Sequence, residues 1–288
     1  MPHNSKFISF LALVFLFASC NPLIEEGVRK KDLKKDIEMK TDYGDIVFRL
    51  SDETPLHRNN FIRLIKKQVY DSLLFHRVIQ NFVVQTGDPD SKHALPGVEL
   101  GNGGLPYTVP KEVNEHLFHK RGALNAAREG DDENPLQASS STQFTFIQGK
   151  IYNDSTLNIA ENRINYMLAY NRVIRKPENK QLYDQLRRLQ TGKGAAGSLS
   201  LVAAEMKRLA NAEAAASPRY RIPDDRRQVY KTIGGAAHLD WSYTVFGEVI
   251  RGMDVVDKIA AAKTDKLDRP LKDVHILSVK FVPRKKTK

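Results

Sequence analysis

The sequence predicts a mainly β domain in two halves, with an α-helical block inserted between them. Three observations predict it. Alternating apolar residues begin at Ile37 and return at Tyr243 and Val274, helical periodicity takes over between Thr156 and Ala216, and glycine or proline marks the changes of pattern. The 288 residues are 41% hydrophobic and 27% charged, which fits a globular chain with a sizeable core and excludes disorder throughout. That length holds one large domain or two small ones.

The elements follow in order. Residues 37–41 alternate, Tyr43-Gly44-Asp45 turns the chain, and residues 46–50 return, which is a hairpin. Thr54-Pro55 reads as a helix N-cap followed by a first-turn proline. Leu56, Phe61, Leu64 and Ile65 then recur at helical spacing to about Tyr70. Strands are expected over 73–78 and 82–85, a Gly- and Pro-rich loop over 89–110, and short strands over 122–127 and 143–148. Helices are expected over 156–172, 178–189 and 198–216, with narrow apolar stripes such as Leu182, Leu186 and Leu189; 216–227 reads as exposed. A strand over 243–250, a helix over 253–261 and a last strand over 274–282 complete the domain. The expected organisation is a domain over 37–283, interrupted by an insertion over 150–231 and followed by a basic tail over 284–288.

The N-terminus has its own signature. His3 and Lys6 precede the apolar run Phe7 to Phe17, which is too short for a spanning helix of ~20 residues. A charged start, apolar centre and small-residue exit read as a secretory signal over 1–20. Phe17-Ala18-Ser19-Cys20 resembles a bacterial lipoprotein signal, in which the cysteine becomes the lipidated first residue; the plainer alternative is an ordinary signal peptide with an incidental cysteine, but a lone cysteine at that one position favours the lipoprotein. Cys20 is the only cysteine, so no internal disulfide forms. Residues 21–36 are rich in Glu, Lys and Arg and read as a tether. The expected location is on a membrane, held by lipid at Cys20 and facing the periplasm or cell surface.

The formal charge is +11, and 149–233 holds 16 Lys and Arg against 8 Asp and Glu. Such a bias can serve nucleic acid, anionic lipid or acidic unfolded clients. An exported protein rarely meets nucleic acid, so none is expected as a partner; a solvated helical face is the plainest account. His116 and His119 are three apart, but without cysteines they make a weak metal site and read as surface or loop residues. Gly101 to Gly104 lacks the Lys-Ser/Thr of a phosphate loop, and in 192–198 the lysine is misplaced. No metal or cofactor is expected, and the chain is expected to act as a monomer.

Two strings carry the chemistry: FHRVIQNFVVQTGD at 75–88 and YTVFGE at 243–248. They hold an arginine, a phenylalanine and a glutamine with no accompanying Ser/His/Asp set. A guanidinium beside an apolar slot suits a reaction that breaks no covalent bond, namely rotation about a prolyl peptide. Together with GALNAAR (122–128), STQF (141–144) and HLDWSYTVFGEV (238–249), these strings resemble the cyclophilin family of peptidyl-prolyl cis–trans isomerases, over roughly 37–148 and 234–282. The layout is most similar to bacterial members with an insertion before the His-Leu-Asp segment. The resemblance implies a closed eight-stranded antiparallel barrel with a helix over each end, and proline-containing unfolded or exported polypeptides as partners.

It also implies roles. Arg77 matches the catalytic arginine and Gln85 the glutamine that orients it; Arg77 alone would read as a structural ion pair. Phe82, Val83 and Leu239 match walls of the proline pocket, although Phe82 alone would read as core. Ala127, Arg128 and Gln143 match residues that bind the peptide backbone, and His238 and Tyr243 stand where bacterial members often carry those residues near the pocket. Two positions depart from the family. Thr145 replaces the aromatic that floors the proline pocket, and it faces the same way as Gln143, so weaker prolyl binding is expected. Trp241 stands where the family usually has glycine. Two functions are compatible with these residues: an isomerase assisting exported proteins, or a catalytically weak binding module working through the insertion.

Overall fold

The structure is a computed structural model that describes residues 27–192 and 198–284. Cys20, the apolar run before it and residues 285–288 of the expected tail lie outside the described residues. The strands are β1 (Lys35–Thr41), β2 (Gly44–Leu50), β3 (Arg77–Ile79), β4 (Val83–Thr86), β5 (Thr108–Val109), β6 (Ala123–Ala126), β7 (Ser139–Ser140), β8 (Phe144–Ile147), β9 (Val245–Arg251) and β10 (Ile276–Pro283). The helices are α1 (Pro55–Lys66), α2 (Asp154–Arg175), α3 (Lys180–Gln190), α4 (Ser198–Ala216), α5 (Asp224–Thr232) and α6 (Met253–Ala260).

Among the described residues, eight strands form one antiparallel sheet in the order β10-β1-β2-β9-β6-β8-β4-β3, and β5 pairs with β7 apart from it. The sheet curls around one apolar core. Met39, Ile46, Phe48, Val84, Leu124, Phe144, Phe146 and Phe246 point into it, with Phe61, Ile62 and Leu64 of α1 and Val255, Val256 and Ile259 of α6. Inward positions alternate along each strand, as a half-buried sheet requires.

The closed barrel expected from the sequence is not what forms. No ladder joins the edge strands β3 and β10. Across the seam, scattered bonds replace a ladder: Ser72 N–H to Ile276 O (2.8 Å), Ile276 N–H to Leu73 O (2.8 Å), Phe75 N–H to Val274 O (2.9 Å) and Val279 N–H to the Asp71 carboxylate (3.0 Å). Gln68 and Ser72 adopt left-handed φ of 52° and 68°, so the chain approaching β3 is too kinked to pair as a strand, and the strand expected over 73–78 shrinks to Arg77–Ile79.

Three further expectations change. The tether read to residue 36 is packed from Gly27: Val28 is 4% exposed in the core, and Lys66 Nζ donates to Gly27 O at 2.5 Å and to the Asp32 carboxylate. Its charge-rich composition conceals the apolar contact that Val28 makes. Thr54 sits at the N-cap of α1 without a side-chain cap bond. Instead the Glu112 carboxylate accepts from the Leu56 and His57 amides at 3.0 and 2.9 Å, so a distant acid meets the free N–H groups of the first turn. Finally, α5 falls partly in a stretch read as exposed. It shows almost no apolar stripe because it docks through Arg227, whose guanidinium reaches Glu161 at 2.6 Å and Asp154 at 2.9 Å.

The helical block α2–α5 leaves and re-enters the sheet at one place, between β8 and β9. Lys150 and Gly235 exchange both backbone hydrogen bonds at 3.0 Å. Gly149 and Gly235 permit the approach, since a Cβ on Gly149 would lie 2.4 Å from Gly235 Cα.

Candidate active site

Strand register builds the site. Arg77 stands opposite Gln85, Gln85 opposite Thr145, and Thr145 opposite Asn125. Directly opposed residues share a face, so these four line the outer face of β3-β4-β8-β6. Val83, Ile147 and Ala123 continue that face two residues along each strand. They enter an apolar cluster with Leu239 and Val245, against which Phe82, Leu117 and Tyr243 pack. The outer face is therefore apolar at one end and polar at the other.

At the polar end, Arg77 Nη1 donates to Gln85 Oε1 at 3.3 Å and Arg77 Nε lies 3.7 Å from the Asp268 carboxylate. Gln85 Nε2 donates to Gln143 Oε1 at 3.0 Å, and Gln143 Nε2 donates to the carbonyls of Gly101 and Gly103 at 2.8 and 2.7 Å. Arg77, Gln85, Gln143, Ala127 and Arg128 all line a cleft of about 600 Å³. The Arg77 side chain keeps 42% of its exposure there. Arg128 does more structural work than the sequence suggested. It donates to Ser242 O at 2.7 Å, pairs with Asp131 at 2.8 Å and lies 4.6 Å over the Tyr243 ring.

At the apolar end, the Phe82 and His238 rings stack 5.3 Å apart. Burial, with Arg163, His119 and Lys150 nearby, lowers the His238 pKa to about 4, so the ring is neutral at pH 7. Thr145 faces the site as expected. It is 6% exposed, and its hydroxyl bonds to Asn125 Oδ1, so a polar pair fills the place of the family's aromatic. Thus the structure unites the eleven expected residues on one surface: Arg77, Gln85, Ala127, Arg128 and Gln143 in the cleft; Phe82, Val83, Leu239 and Tyr243 in the apolar cluster, with His238 stacked on Phe82; and Thr145 beneath.

Sequence reasoning missed the buried His119, Asp240 and His76 here, while His116 is at the surface as expected and Trp241, noted as a departure, gains an explanation. His119, read as surface or loop, is 1% exposed. Its Nδ1 lies 2.8 Å from Asp240 Oδ1, and Asp240 Oδ2 accepts from Tyr230 Oη at 2.8 Å. Its partner Asp240 is remote in sequence, so no local signal reveals the pair. His116 is exposed and sits 2.7 Å from Glu53. Trp241 has φ +67°, a conformation that explains the family's glycine, and its indole meets the Tyr220 ring edge-on at 5.6 Å. His76 is 3% exposed, with neither ring nitrogen hydrogen-bonded among the described residues, and burial lowers its pKa to about 4.

An apolar cluster beside a half-exposed guanidinium fixed by a glutamine, on a curled sheet under two helices, fits the cyclophilin-type class. The family model of cyclophilin type peptidyl-prolyl cis–trans isomerases matches residues 36–281, and the chain belongs to that family of enzymes. A Staphylococcus saprophyticus protein provisionally named a peptidyl-prolyl cis–trans isomerase is 28% identical over 265 residues, covering 91% of this chain and 98% of its own. A Staphylococcus haemolyticus protein with the same provisional name is 26% identical over 259 residues, covering 90% and 96%. A Cryptosporidium parvum cyclophilin structure aligns with a TM-score of 0.49 and 16% identity, over 87% of this chain and 99% of that one.

Proposed function

We propose that the protein catalyses cis–trans isomerisation of prolyl peptide bonds in exported polypeptides, with Arg77 as the catalytic residue. The observation that carries this is the row Arg77–Gln85–Gln143, which runs beside the apolar cluster of Val83 and Leu239 on one sheet face. Twisting a peptide bond removes its resonance at a barrier of about 18–20 kcal/mol. The half-turned proline nitrogen regains a lone pair that neither ground state offers. A donor that meets it lowers the barrier selectively. Arg77 suits the task because it is permanently charged, and Gln85 and Asp268 hold it from the protein side. Its Nη2 has no protein partner among the described residues and is the donor we assign to the prolyl nitrogen.

Phe82, Val83 and Leu239 take the proline ring, with His238 and Tyr243 at its border. Ala127 and Gln143 bind the adjoining backbone. The Asn125–Thr145 pair makes a more polar floor, with less ring contact for proline, than an aromatic would. Cys20 carries the lipid that keeps the domain at the membrane, on the periplasmic side or the cell surface. The support for this is the 1–20 signal pattern alone. A protease-coupled isomerisation assay on a proline tetrapeptide tests the proposal. Turnover by the wild type that Arg77→Ala abolishes is expected, and equal turnover by both would refute it.

A further inference from the structure

The helical insertion packs against the loop that forms one wall of the cleft. Glu129, Glu133, Asn134 and Ala138 of that loop line the cleft, facing the 100–105 segment. Asp132 lies between them and is taken up entirely by the insertion. Its Oδ1 accepts from the Tyr170 hydroxyl of α2. Its Oδ2 accepts from Gln190 Nε2 of α3 at 2.7 Å, and its carbonyl from the Tyr183 hydroxyl at 2.6 Å. Two neighbouring contacts reinforce it. Asn171 Nδ2 donates to Pro135 O at 2.9 Å, and Arg187 lies 3.5 Å from Glu133. Inside the loop, Arg128 pairs with Asp131 next door to Asp132, and the Glu133 and Asn134 amides both bond to Gly130 O.

We propose that Asp132 is a positioning residue through which α2 and α3 fix the outer wall of the substrate cleft. The insertion is then part of the substrate site, and it governs how the peptide is gripped beyond the prolyl residue. Asp132 does not touch the reacting amide, so its effect falls on the affinity of extended peptides and not on the turnover step. This rests on the assignment of the cleft to prolyl peptides.

Three variants of the full chain test it: Asp132→Ala, Tyr170→Phe, and the conservative Asp132→Asn, which keeps an acceptor for Tyr170. Amide hydrogen exchange at Glu133, Asn134 and Gln137 is expected to speed up in Asp132→Ala and Tyr170→Phe, and to return toward wild type in Asp132→Asn. Peptide affinity, read by NMR titration, is expected to weaken about fivefold for a peptide with three residues on each side of proline, the loss that one net hydrogen bond represents. A blocked tripeptide centred on proline should bind equally to all forms, and kcat should not move. Unchanged exchange in both disrupting variants, or equal weakening for long and short peptides, would overturn the inference. Both readouts hold whether or not the wild type turns over, so they fail separately from the isomerase assignment.

Discussion

Arg77 and Gln85 face each other across the β3–β4 ladder, and the guanidinium donates to the amide oxygen over 3.3 Å. Gln85 in turn donates to Gln143, so one chain of bonds sets the direction of the arginine and of the groove beside it. Replacing Gln85 by alanine cuts this chain while leaving the charge. The expected result is a fall of about tenfold in kcat/KM, the size of one neutral hydrogen bond's contribution, with little change in melting temperature. Steady-state kinetics with thermal melts check it.

Thr145 and Asn125 fill the floor where an aromatic ring would meet proline. The double substitution Thr145→Phe with Asn125→Ala replaces two paired polar groups by apolar area. Affinity for a prolyl peptide should improve by about 1 kcal/mol or more, from added ring contact. Titration calorimetry on the wild type and the double variant reads this directly, and weaker binding by the variant would contradict the assigned floor.

His76 and His238 are both neutral in the fold, with pKa values lowered from 6.5 to about 4, chiefly by burial. Between those values the unfolded chain takes up protons first, so their contribution is complete above pH 6.5 and is lost as pH falls toward 4. The expected loss for each histidine at pH 5 is about 2 kcal/mol. Denaturant unfolding at pH 7.5 and pH 5 should show the drop, and His76→Leu should reduce its size by about half.

Tyr230 of α5 donates to the same buried carboxylate, Asp240, that meets His119. Tyr230→Phe leaves a buried lone pair without its donor. A loss of about 1–3 kcal/mol in unfolding free energy is expected. Because Asp240 follows Leu239 in the site, the variant should also weaken peptide binding, which the same titration measures.

What was legible in the sequence follows from locality. Phe75 to Asp88 forms β3, a turn and β4, so Arg77, Val83 and Gln85 fall into place through strand alternation alone, with Phe82 in the turn just before β4. Gln143 and Thr145 follow by the same period of two. Long-range polar partners were not legible. Glu112 capping α1 from 56 residues away, Arg227 docking α5 onto α2, and Asp240 pairing with His119 leave no periodic trace. Barrel closure also escaped, because it depends on backbone turns at Gln68 and Ser72, where neither residue advertises a left-handed φ.

The central claim is that the Arg77 guanidinium acts on the twisted amide and contributes little to ground-state binding. Two-dimensional exchange NMR on one proline peptide measures affinity and cis–trans exchange together, for wild type and Arg77→Ala. The account predicts a Kd within about threefold of wild type and catalysed exchange slower by roughly 100-fold, the scale of losing one transition-state donor. Catalysed exchange that survives in Arg77→Ala, or that falls only in proportion to lost binding, would contradict it.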